Sequence, residues 1–143
     1  MTRPEPAVPN QAAEILRAYY DAFNRQDTAG MLALLDDAVV HEPSQGIPRE
    51  GIARFREFLE HMNRSYRETV IDPVIMTSPD GSRAAAEFML EGQYLVTDEG
   101  LPPANRQAYR LRVGAFFELR DNWITRVSNH YNMADWIRQV EAA

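Results

Sequence analysis

The sequence predicts an α+β domain: a cone-shaped, curved antiparallel sheet wrapped around three N-terminal helices. Three features of the 143 residues point there. Apolar residues recur at helical spacing as far as Met62, and from Tyr66 the period drops to two. The two regimes are segregated along the chain, which favours helices gathered on one face of an antiparallel sheet. A sheet curved around helices leaves an open end, and such a mouth is a natural small-molecule pocket.

Residues 1–10 carry Pro4, Pro6 and Pro9 without periodicity and read as a flexible arm ahead of one domain over 11–143. Ile15, Leu16, Tyr19, Ala22 and Phe23 share a face of the first helix. Asp27 or Thr28 can cap a shorter second helix bearing Met31, Leu32 and Leu35. Ala38 to Glu42 is a short strand stopped by Pro43, and 44–51 is a loop. Ile52, Phe55, Phe58, Leu59 and Met62 mark the third helix. Tyr66 to Thr77 is a strand in which Pro73 signals an edge or a bulge. Ser78-Pro79-Asp80-Gly81 turns the chain into a return strand from Arg83 to Gln93. After the loop 97–105, a long strand from Gln107 to Leu119 sets Tyr109, Leu111, Val113, Ala115, Phe117 and Leu119 on one face. Trp123 to Tyr131 is the last strand, and Asn132 can cap a closing helix with Met133, Trp136, Ile137 and Val140.

Composition removes several classes of function. Fifteen Lys and Arg against 21 Asp and Glu give a net charge of −6, with no basic block of the kind that tracks nucleic-acid phosphates. Absence of cysteine excludes disulfides, thiolate metal sites and a Cys nucleophile. Three histidines leave little for a His-rich metal site, so no metal or organic cofactor is expected. No apolar run approaches the roughly 20 residues of a membrane span, and the N-terminal residues lack a signal-peptide core. A cytoplasmic protein without membrane or nucleic-acid partners is the expectation.

No nucleotide, hydrolase-elbow or zinc-protease motif is present. Chemistry must therefore be sought in polar residues at positions where burial is expected. Alternation through Val40-His41-Glu42-Pro43 puts Val40 and Glu42 on the core side. Desolvation there would raise the Glu42 pKa and suit a general base, whereas a wet or arginine-paired Glu42 would have a lowered one. Tyr19 lies mid-stripe on the first helix, as a core tyrosine or as a phenol donating to an oxyanion. Asn129 and Tyr131 share a face with Val127 and should point inward, to satisfy the backbone or read a ligand. His41 and His130 alternate away from that interior and reach a pocket rim only if a bulge re-aims them. His61, among polar neighbours on a helix, reads as solvated. Glu87, Glu91, Arg110, Arg112 and Arg126 read as cross-strand pairs on the outer face, which with Met89 and Phe116 can pack against a second copy.

The run Tyr19-Tyr20-Asp21-Ala22-Phe23-Asn24-Arg25-Gln26-Asp27, followed by Leu34-Leu35-Asp36-Asp37-Ala38-Val39-Val40-His41-Glu42-Pro43, resembles the NTF2-like superfamily. Within it the chain is similar to ketosteroid isomerases and SnoaL-like, ketosteroid-isomerase-related proteins. The segments 80–88 and 125–136 fit that related subgroup, and the likeness spans 12–140. The resemblance implies a cystatin-like α+β barrel. It places the isomerase base on Glu42 and its oxyanion tyrosine on Tyr19. The second oxyanion donor, a protonated aspartate in the isomerases, falls on Gly114 or Ala115, neither of which can donate. Asn129 or Tyr131 would have to replace it.

The expected function is cofactor-free proton transfer on a small apolar carbonyl compound. Glu42 would be the base and Tyr19 the oxyanion donor, with Phe23, Phe55, Leu111, Val113 and Phe117 as an apolar wall and loop 97–105, with Asp98, as a lid. The alternatives are a non-catalytic, homodimeric ligand-binding module, an epoxide hydrolase or a polyketide cyclase.

Overall fold

The computed structural model describes residues 7–143, with side chains from residue 11. Helix α1 spans Ala7–Asn24, α2 Thr28–Leu32 and α3 Ile52–Ser65. The strands are β1 Leu35–Glu42, β2 Arg49–Glu50, β3 Tyr66–Thr77, β4 Arg83–Tyr94, β5 Gln107–Arg120 and β6 Trp123–His130, and α4 spans Met133–Ala142. Helix α1 thus opens inside the stretch 1–10 read as an arm, the rest of which lies outside the described residues.

The strands form one open sheet in the order β2-β1-β6-β5-β4-β3. β3 to β6 make the expected antiparallel meander, and β1 runs parallel to β6. Strict alternation along β5 buries Tyr109, Leu111, Val113, Ala115, Phe117 and Leu119 against the helices. Pro73 coincides with a slip in the β3–β4 register between Ile71 and Val74, where Asp72 takes a φ of 46°. Asp27 Oδ1 accepts the Gly30 amide at 2.9 Å to cap α2, and Asn132 Oδ1 accepts the Asp135 amide at 3.0 Å to cap α4. Trp136 of α4 closes one end of the core against Tyr66, Tyr94 and Tyr109.

One strand differs from its sequence reading in phase. β1 starts at Leu35, and its register on β6 slips between Leu35 and Val40. Leu35, Val39 and His41 are consequently buried, while Val40 and Glu42 face outward. The adjacent valines allow either phase, and the helices decide: the His41 ring packs on Phe55 and Phe58 of α3, at centroid distances of 4.6 and 4.5 Å.

Candidate functional site

Glu42 does not occupy the interior. Arg126 donates to its Oε1 from Nε at 3.0 Å and from Nη2 at 2.9 Å. Arg126 continues to Glu118 at 3.3 Å, which meets Arg83 at 3.5 Å, so four charges line the outer face. The Arg126 hydrogen bond holds the Glu42 carboxyl below the ordinary carboxylate value, outweighing burial and aided by Ser128. The expectation of an inward base with a raised pKa is therefore corrected: Glu42 is an ion-paired carboxylate of the sheet's outer surface. His41, expected to point away, is the inward residue.

Tyr19 is buried as expected, in edge contact with Tyr20 at 5.2 Å and Phe117 at 5.6 Å, and burial pushes its hydroxyl pKa up. Phe55, Leu111, Val113 and Phe117 fill the core beside it. Asn129 sits opposite Ala115 on the inner face, whereas Gly114 pairs with His130 on the outer one. Ala115 is thus the inward member of the pair on which the missing donor falls. The Ser128 hydroxyl and His130 Nε2 lie 2.8 Å apart on the outer side.

The polar interior lies elsewhere, where the ends of α1 and α3 meet α2 and the start of β3. A cavity of about 30 Å³ is lined there by Phe23, Met31, Leu59, Met62, Tyr66 and Glu68, with Gln26, Thr28 and Asn63 at its polar side. That volume suits a water or two rather than an organic molecule, so a substrate must displace side chains to enter. Period two along Tyr66-Arg67-Glu68-Thr69-Val70 sets Glu68 on the same face as Tyr66 and Val70. Tyr109 donates its hydroxyl to Glu68 Oε2 at 2.5 Å. Burial pushes the Glu68 carboxyl up to about 7, with the Tyr109 hydrogen bond pulling the other way.

A second carboxylate stands close by. Asp98 Oδ2 accepts the Tyr66 hydroxyl at 2.8 Å and lies 3.0 Å from His61 Nε2, so His61 is paired rather than solvated. Burial works against Asp98 ionisation, yet the hydrogen bonds from His61 and Tyr66 prevail and lower its pKa. Tyr94 and Thr97 secure the rest of the loop. The Tyr94 hydroxyl accepts the Asp98 amide at 2.9 Å and donates to the Pro102 carbonyl at 2.7 Å, and Thr97 Oγ1 accepts the Ala104 amide at 2.9 Å. The loop read as a lid is thus fastened shut over this end. Tyr131 feels both carboxylates: burial first, then Glu68 and Asp98, raise its pKa. Among the described residues, its hydroxyl makes only a long contact of 3.7 Å to Met133 Sδ.

The structure therefore brings Phe23 and Tyr131 to a cluster of Glu68, Tyr109, Asp98, Tyr66 and His61, and leaves Glu42 and His130 outside it. Alternation had the information to find Glu68. Asp98 sits in a loop without periodicity, and its pairing with His61 carries no local signal. Among the described residues, no three His, Asp or Glu side chains gather as a metal site.

An open curved sheet with helices on its inner face defines the NTF2-like fold. A solved NTF2-like protein of Burkholderia pseudomallei superposes with a TM-score of 0.77 over 91% of this chain and 97% of that one, at 18% identity. Within that fold the chain belongs to the SnoaL-like domain family, whose model matches residues 16–127. It is similar to a candidate polyketide cyclase of Pseudomonas putida, with 53% identity and a TM-score of 0.89 over 90% of this chain and 97% of that one. A candidate polyketide cyclase of Xanthomonas campestris shares 48% identity, with a TM-score of 0.90 over 92% and 98% of the two chains. No curated protein matches the sequence. Among the described residues, no helix is long and apolar enough to cross a membrane.

Proposed function

We propose that the protein is a cofactor-free proton-transfer enzyme for a small, apolar carbonyl compound, with Glu68 in place of Glu42 as the base. One observation carries the reading: a half-buried carboxylate lines the cavity with Tyr109 as its hydrogen-bond donor. A base whose pKa lies near 7 matches proton abstraction at neutral pH. Glu68 takes a proton from the carbon next to the carbonyl, and the electron pair of that C–H bond moves onto the carbonyl oxygen. Tyr131, whose hydroxyl has only a 3.7 Å sulfur contact among the described residues, donates to that oxygen as its charge grows. Tyr109 positions the base. Tyr19, enclosed by Tyr20 and Phe117, supports the wall.

The enolate then has two outcomes with the same first step. Return of the proton to another carbon is an isomerisation. Attack on a second carbonyl of the same molecule, with the new alkoxide taking the proton from Glu68, closes a ring. The similarity to candidate polyketide cyclases favours ring closure. An epoxide hydrolase needs two inward carboxylates and an arginine, but Glu68 is the one carboxylate and no arginine lines the cavity. We further assign the outer face, where Phe116 is half exposed beside His130, to contact with a second copy of the chain.

The test is deuterium exchange. The protein is incubated with 2-tetralone, an enolisable bicyclic ketone, in deuterated buffer, and incorporation beside the carbonyl is followed by NMR. Exchange above the buffer rate that falls to that rate in Glu68→Gln is expected. Exchange equal in the two proteins overturns the reading.

A further inference from the structure

A groove of about 570 Å³ lies between β2 and the start of α3, lined by Val40, Pro48, Arg49, Glu50 and Arg54. None of these residues lines the cavity beside Glu68. The volume falls in the range of small-ligand sites, about 300–1,000 Å³. It forms at the sheet's edge, where β2 is two residues long and pairs with β1 through Val40 opposite Glu50 and His41 opposite Arg49.

The charges of this groove are unmatched. On the outer face of the sheet Arg83, Arg112 and Arg126 each meet a glutamate, whereas among the described residues Arg49 and Arg54 meet no carboxylate, Glu50 included. Arg49 is moreover half-buried, so its charge is only partly screened by water. The buried His41 ring registers that charge. Burial first, then Arg49, lowers its pKa to about 4, against an opposing pull from Glu42. Two arginines against Glu50 leave the lining one positive charge, which suits a monoanion better than a dianion. Val40 and Pro48 add apolar wall, and Ile47 ahead of Pro48 is 74% exposed.

We propose that this groove binds small apolar monocarboxylic acids, with the carboxylate held by Arg49 and Arg54 and the hydrocarbon body lying on Val40 and Pro48. Guanidinium groups present paired N–H donors that match the two carboxylate oxygens. Glu50 repels a second negative charge and so selects against phosphate. The groove and the Glu68 cavity share no lining residue, and binding here requires no proton transfer by Glu68.

The experiment titrates ¹⁵N-labelled protein at about pH 7.5 with octanoate, octanamide and inorganic phosphate, following backbone amides by NMR. Expected are shifts at Val40, Arg49, Glu50 and Arg54, with octanoate binding about tenfold tighter than either comparison compound. Arg49→Gln and Arg54→Gln should each weaken octanoate about fivefold or more, and Glu50→Gln should bring phosphate closer to octanoate. Glu68→Gln should bind octanoate as the unmodified protein does. No binding of octanoate overturns the proposal, as do shifts centred on Met31, Leu59 and Met62 of the other cavity. Octanamide or phosphate binding as tightly as octanoate, or an octanoate affinity unchanged in both arginine variants, overturns it equally. If Arg49→Gln does not fold, Arg54→Gln, at an exposed helix position, decides together with the octanamide comparison.

Discussion

Glu68 and Tyr109 face each other across β3, β4 and β5 through the one position where the intervening strand has no side chain, Gly92. Gly92 pairs with Glu68 on one side and Tyr109 on the other. A Cβ there would stand 2.4 Å from Tyr109 Cζ. The tyrosine ring thus crosses β4 over the glycine to reach the carboxylate. Gly92→Ala should displace the ring and destabilise the protein by about 1–3 kcal/mol, measurable by urea unfolding. Unchanged stability would mean that Tyr109 has room to move aside.

The Tyr109 hydroxyl lowers the Glu68 pKa, so its removal has a definite sign. Tyr109→Phe should move the acid limb of the pH–rate profile for 2-tetralone exchange above 7, with the rate recovering at higher pH. Glu68→Gln should instead lose about 10²–10⁴-fold at every pH. An acid limb that stays put in Tyr109→Phe contradicts the assignment of Glu68 as base.

Glu42 and Glu68 can be told apart by the same assay. Glu42→Gln removes an ion pair on the outer face, costs about 1 kcal/mol or less of stability, and should keep the exchange rate within about twofold. A loss of rate as large as that of Glu68→Gln would return the catalytic role to Glu42.

Stability should fall with pH because of Glu68. Its carboxyl is held protonated in the fold up to about 7, against an ordinary value of 4.5, so the folded state binds more protons than the unfolded one between these limits. The contribution is complete below about pH 4.5 and is lost as pH rises through 7, on the order of 3 kcal/mol. Asp98 is shifted the other way and acts only at lower pH. Urea titrations at pH 5 and 7.5 should show this drop in the unmodified protein and a smaller one in Glu68→Gln.

Asp98→Asn should release the loop 97–105. Charge-assisted hydrogen bonds to His61 and Tyr66 would weaken, and each is worth about 1.5–3 kcal/mol. The Ala104 amide, held by Thr97, reports the change: its hydrogen exchange should speed at least tenfold. Unaltered exchange would show that Tyr94 alone fastens the loop.

How much of this was legible in the sequence varies with the length of uninterrupted pattern. β5 alternates for 14 residues, so its inward set reads off directly. β1 offers two adjacent valines and a bulge within eight residues, and there the local pattern cannot choose a face. The choice comes from Phe55 and Phe58 on one side and Arg126 on the other, residues distant in sequence. Glu68 was readable from its place between Tyr66 and Val70. Alternation in β1 taken in the wrong phase and the resemblance to isomerases both point to Glu42 instead, since neither fixes the face on which that residue lies. His61 and Asp98 are 37 residues apart, and no spacing rule joins them.

The slip in β1 acts as a selector between two chemistries. Beyond it, neighbouring residues take opposite sides of the sheet, so a single residue gained or lost between Leu35 and Val40 would exchange His41 for Glu42 in the interior. The imidazole and the carboxylate are both already written into the strand. Which one the inside of the sheet receives is decided by a count of backbone units.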